Sequence, residues 1–133
     1  MKEYSLSLDV ISAEASLQDL TAQLGATPSE SSHDLGSPRA RQGFWKETVW
    51  RLESEAPASA SLEEQCQSLL AKAQASGALE ASRSLRNAKI LLNLGVFFDS
   101  PMCTVEIPQS CLNAIKDYAL GLEISCYPSE ASK

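Results

Sequence analysis

Nucleophilic catalysis needs a base held against a serine or cysteine, and one histidine, His33, is present to play that part. It stands beside Asp34 in a polar stretch, and no G-x-S-x-G elbow presents a serine anywhere in the chain. Neither a phosphate loop nor a G-x-G-x-x-G turn occurs. The carboxylates are dispersed: Glu63 and Glu64 fall where a helix would begin, and Glu53 and Glu55 flank a strand end. None has the pairing that general acid/base work or glycoside hydrolysis demands. The four cysteines, Cys66, Cys103, Cys111 and Cys126, contain no C-x-x-C pair, and His33 lies far from all of them in sequence. Zinc sites need clustered ligands. The residues therefore name no catalytic group, no metal site and no cofactor.

Charge is more informative. Among 133 residues, 11 Lys and Arg face 17 Asp and Glu, a net charge of −6, which argues against binding nucleic acid or an anionic membrane surface. The balance is uneven. Between residues 39 and 51, Arg39, Arg41, Lys46 and Arg51 oppose only Glu47, so this segment is basic within an acidic chain. Arg83, Arg86 and Lys89 form a second basic run. The plainer reading is that both runs are solvated strand ends. The sharper one is a patch for an anion or a protein partner, built from His33, Arg39, Arg41 and Trp45, with Trp45 as its aromatic anchor. Arg and Trp supply large contact area and directional donors in binding hot spots.

These residues need a frame. Residues 3–11 alternate, with Tyr4, Leu6, Leu8 and Val10 on one side and Ser5, Ser7 and Asp9 on the other, as a half-buried strand requires. Ser12 can cap a helix carrying Leu17, Leu20 and Leu24, which Gly25 ends and Pro28 prevents from continuing. Residues 26–42 hold two prolines, one glycine and four serines around Leu35 and have no period, so they read as a long loop, a feature usually functional or mobile. Gly43 to Glu53 reads as a second strand with Phe44, Trp50 and Leu52 on its core face. Ser61 and Glu64 match a capping box, opening a helix whose buried stripe is Leu62, Cys66, Leu69, Leu70 and Ala73 and which stops near Gly77. Leu79 to Leu85 suggests another helical turn or two. Ala88 to Asp99, the most apolar segment, reads as a central strand, and Cys103, Val105 and Ile107 as a short returning one. Pro108 suits the first turn of a further helix with Leu112, Ile115 and Ala119 inward and Gly121 as its stop. Leu122, Ile124 and Cys126 alternate in a last strand.

Each helix has a single apolar stripe, so two layers suffice. The expected fold is one α+β domain over residues 1–128, a two-layer sandwich with a mixed four- or five-stranded sheet and about three helices on one face, followed by a flexible tail at 129–133. No continuous apolar stretch resembles a signal peptide or a membrane span, which points to the cytoplasm. There the four cysteines are expected as buried, reduced thiols.

Leu24-Gly25-Ala26-Thr27-Pro28, the polar loop with Gly36, the strand with Trp50, the leucine-bearing helix, and the ending Tyr118-Ala119-Leu120-Gly121-Leu122-Glu123-Ile124-Ser125-Cys126-Tyr127 together resemble a bacterial family known as domain of unknown function 4279. The resemblance runs from about Glu3 to Pro128. It implies a small bacterial cytosolic α+β domain and carries over no catalytic residue. Members often have Lys-Gly-Asp in the loop, where this chain has Leu35-Gly36-Ser37.

The leading expectation is a non-enzymatic module that binds a protein partner through its loop and one exposed face. Its acidic body would steer it towards a basic partner, and by analogy with small acidic proteins of that class it would be an immunity-type protein that neutralises a toxin. The alternative is a small-ligand or anion-binding domain, or an enzyme, using the 26–42 loop with His33, Arg39 and Arg41. A self-associating structural domain is the third class, and the residues alone do not distinguish monomer from dimer.

Overall fold

A computed structural model describes residues 2–40 and 42–128. The elements in chain order are β1 (Lys2–Ser12), α1 (Leu17–Leu24), β2 (Thr48–Glu53), α2 (Leu62–Ala75), α3 (Ala78–Ser82), β3 (Ala88–Phe98), α4 (Gln109–Tyr118) and β4 (Gly121–Pro128). The four strands form one mixed sheet in the order β2-β1-β3-β4. β1 lies antiparallel to both β2 and β3, and β4 runs parallel to β3. The fold is thus α+β with a single open sheet.

The two faces of that sheet follow from the alternation in β1. Leu6, Leu8 and Val10 join Trp50, Leu52, Leu92, Leu94 and Val96 in one buried cluster with Leu20 and Leu24 of α1, Leu62 and Leu69 of α2, Leu79 of α3 and Ala114 of α4. All four helices therefore pack on this side. The opposite side has no helix over it, and Ser5, Ser7 and Asp9 point there.

Local signals hold where their chemistry is local. Ser61 Oγ accepts from the Glu64 amide at 3.1 Å, and Gly25, at φ 70°, ends α1 with its N–H on Thr21 O. Other boundaries move. Ser16, not Ser12, caps α1, accepting from Asp19 N. Ser12 Oγ instead takes the amides of Glu14 and Ala15 in a turn before the helix. Pro108 is the N-cap of α4 rather than its first helical residue, and the left-handed stop is Ala119, at φ 54°, so that Gly121 is free to begin β4. A Cβ at Gly121 would make only ordinary contact, 3.4 Å from Leu91 Cβ.

Three expectations are corrected. The second strand begins at Thr48, because Pro38 and Phe44 bridge in a small turn before it; Phe44 is 65% exposed and is not a core residue. Cys103, Val105 and Ile107 form no strand. Both edges of β3 are already occupied, by β1 and β4, so the segment cannot pair with β3 and leads into the crossover helix α4. Finally, four reduced thiols are not what the fold contains: Cys66 of α2 and Cys111 of α4 form a disulfide with Cα atoms 6.1 Å apart, leaving Cys103 and Cys126 free. Both partners lie on buried helix stripes that face each other, so packing brings the two sulfurs together. The expected tail at 129–133 lies outside the described residues.

Candidate functional site

The helix-free face is read most easily in rows across the strands. One row is Arg51–Asp9–Leu91–Gly121, the next Glu53–Ser7–Asn93–Glu123, the next Ser5–Gly95–Ser125, and the last Glu3–Phe97–Tyr127. A charged residue in mid-strand must find a partner if it is to be buried. Asp9 is 2% exposed and has four donors. Arg51 spans the neighbouring strand with Nε on Oδ1 and Nη2 on Oδ2, both at 3.0 Å. Ser7 Oγ donates to Oδ1 at 2.8 Å and Asn93 Nδ2 to Oδ2 at 3.2 Å. This two-pronged geometry is the strong form of an ion pair. The hydrogen bond to Asp9 raises the Arg51 pKa further above its ordinary value.

Below this cluster the face opens into a shallow depression of about 450 Å³, lined in part by Ser5, Ser7, Arg51, Asn93, Gly95 and Tyr127. A Cβ at Gly95 would fall 2.5 Å from Ser5 Oγ and make that hydroxyl rotate away, so the glycine leaves the Ser5 side chain its place on this face. Phe97 and Tyr127 stack at 4.9 Å between centroids and remain largely exposed, forming an apolar wall. Glu3, Glu53 and Glu123 share the face. With Arg51 engaged by Asp9, they make this end of it acidic.

The long loop borders the same face. It is held along the outer edge of β2 by backbone bonds: Ser29 N to Arg51 O at 2.7 Å, His33 N to Val49 O at 3.0 Å, and Val49 N to His33 O at 2.9 Å. Asp34 ties it to the helix layer by accepting from Leu17 N at 3.0 Å, and the Thr48 hydroxyl donates to Ala15 O at 2.7 Å. Residues 29–33 thus act as a partial fifth strand, with His33 bridged to Val49.

Of the residues singled out from sequence, His33, Arg39 and Trp45 come together. The His33 and Trp45 rings stack at 3.6 Å, and the Arg39 guanidinium lies 4.7 Å from a Trp45 ring centre. Arg41 lies outside the described residues. The aromatic anchor is therefore engaged by its own loop. Arg51 belongs to Asp9 rather than to the basic run. The second basic run is divided: Arg83 pairs with Glu80 at 3.8 Å and lies over Tyr118 of α4, while Lys89 lies on the open face, in the row of Ile11 and Val49. Asp9, Ser7, Asn93 and Gly95 were not singled out. The signal for Ser7 and Asp9 was the polar half of the β1 alternation, which shows an outward face but not the register that sets Asp9 opposite Arg51.

His33 has its pKa lowered, first by burial and then by the positive charges of Arg51 and Arg39. The unfolded chain therefore binds a proton more readily than the folded one near the ordinary value of 6.5. The contribution of His33 to stability is whole above 6.5 and falls as pH drops through it towards the lower folded value. Urea midpoints measured on either side of that pH should show this loss in the wild type, and His33→Gln should flatten it.

Among the described residues, no group of three or more His, Cys, Asp or Glu side chains could hold a metal ion, and no helix is long and apolar enough to cross a membrane. No curated protein and no solved structure gives a significant match. A family model described as "Domain of unknown function (DUF4279)" matches residues 2–129, nearly the whole chain, in keeping with the strand and helix motifs noted above, and the chain belongs to that family.

Proposed function

We propose that this protein is a non-enzymatic binding module that engages a protein partner across the helix-free face of its sheet. The observation that carries this reading is the make-up of that face, where a pre-organised polar cluster (Asp9, Arg51, Ser7, Asn93) adjoins an exposed aromatic pair, Phe97 and Tyr127. Rigid polar groups beside exposed aromatics are the composition of interface hot spots, which need little ordering on binding. Glu3, Glu53 and Glu123, on a chain of net charge −6, favour a basic partner through steering and complementarity. A basic toxin, with this chain as its immunity-type antagonist, is the partner class we put forward. The cytoplasm is the proposed setting; a disulfide at buried Cys66 and Cys111 is shielded there, because thiol exchange needs access to a sulfur.

The loop alternative, in which the His33, Arg39 and Trp45 cluster takes a small anion or does chemistry, has one supporting observation: a neutral-leaning imidazole among arginines. The stacking that occupies Trp45 weighs against it.

The test is affinity capture at low salt from the source organism, with wild type and a Phe97→Ala, Tyr127→Ala variant side by side. The reading expects a retained basic protein whose affinity falls at least about 10-fold in the variant, the equivalent of 1.4 kcal/mol. Equal retention by both would reject the face as the site.

A further inference from the structure

The two edges of the sheet are treated differently. The β2 edge is covered by the loop, through Ser29, His33 and Ser32 Oγ, which donates to Arg51 O at 3.2 Å. Among the described residues β4, the other edge, has only β3 beside it. An uncovered strand offers a row of backbone donors and acceptors to another strand, and proteins normally blunt such an edge. Here it is not blunted by charge: Glu123 is the sole charged residue of β4. It is instead flanked by apolar surface. Leu122 and Ile124 are 38% and 44% exposed on the helix side, and Phe97 and Tyr127 are exposed on the other.

We propose that β4 is a homodimer edge, at which a second copy of the chain adds its own β4 antiparallel about a two-fold axis through Ile124, giving one continuous eight-stranded sheet. A second copy fits this edge in register. Directly opposed residues share a face, so the axis must pass through a residue position rather than between two. An axis at Glu123 would set two carboxylates against each other, which is unfavourable. An axis at Ile124 sets Ile124 against its copy, Leu122 against Cys126 of the second copy, and Glu123 against Ser125 of the second copy. No like charges are directly opposed, and the half-exposed aliphatic residues of both chains cover one another on the helix side. The contact is self-complementary, as a closed two-fold interface requires. It also places two helix-free faces side by side. It shares Tyr127 with the partner face proposed above, and its test changes Ile124 and leaves Phe97 and Tyr127 in place.

Light scattering on the full chain tests it, with a mass of twice 14.3 kDa expected. Ile124→Lys, at an exposed position, should return the mass to one chain while circular dichroism stays unchanged. In a Cys103→Ser, Cys126→Ser background that keeps the Cys66–Cys111 bond, Ile124→Cys should cross-link to itself under mild oxidation, whereas Gln67→Cys on α2 should not. A single-chain mass at every concentration would overturn the proposal. So would a dimer that survives Ile124→Lys and fails to cross-link at position 124.

Discussion

Replacing Arg51 with alanine is expected to destabilise the protein by about 3 kcal/mol, the lower end of the range for breaking a buried ion pair. The cost comes mainly from Asp9. Its carboxylate is almost wholly buried, and without the guanidinium it keeps only Ser7 Oγ and Asn93 Nδ2 as donors. The lower end applies because Arg51 is itself partly exposed, so water can enter the space it leaves. For a chain of this length the loss corresponds to a fall in Tm of about 10 °C. Arg51→Lys should recover only part of it, since an ammonium cannot reproduce the two parallel bonds. Asp9→Asn combined with Arg51→Met should cost less than Arg51→Met alone, because no charge is then left unpaired. Thermal melts of the four variants, with Asp9→Asn alone to close the cycle, check all of these, and a loss in the double variant equal to the sum of the two single losses would show that Asp9 and Arg51 act independently.

The disulfide should matter at least as much. Cys66 and Cys111 are 45 residues apart in sequence, and closing a loop of that length removes chain entropy from the unfolded state worth about 4 kcal/mol. The bond also joins α2 to α4, the helix that delivers β4 to the sheet. Cys66→Ala with Cys111→Ala should therefore lower the urea midpoint strongly, and wild type in strong reductant should approach the same midpoint once the buried bond is reduced. A midpoint unchanged by both treatments would mean that the bond contributes nothing to the fold.

Much of the frame was legible because its signals are local or periodic. The alternation of Leu6, Leu8 and Val10 with Ser5, Ser7 and Asp9 assigned both sheet faces, Ser61 and Glu64 marked the start of α2, and Gly25 marked the end of α1. Two of the errors share a physical cause, a contact between segments distant in the chain, and the third lies in a local turn. Period alone extended the second strand back to Phe44, but the Pro38–Phe44 bridge turns the chain there. A returning strand at Cys103–Ile107 fits the local pattern and fails only because β4 occupies that edge of β3. Four cysteines admit several pairings, and the meeting of Cys66 with Cys111 is decided by how α2 packs on α4. The candidate site divides in the same way. His33, Arg39 and Trp45 were visible by residue type within one loop. The Asp9–Arg51 pair, 42 residues apart, needed the β1–β2 register.

The helix-free face is the centre of the account, and side-chain footprinting of the captured complex tests it most directly. Carbene labelling of free and bound protein should show Phe97, Tyr127 and Glu123 masked in the complex, with Gln67 and Gln74 of α2 labelled equally in both states. Masking centred on α2 and α4, with Phe97 and Tyr127 unchanged, would contradict it.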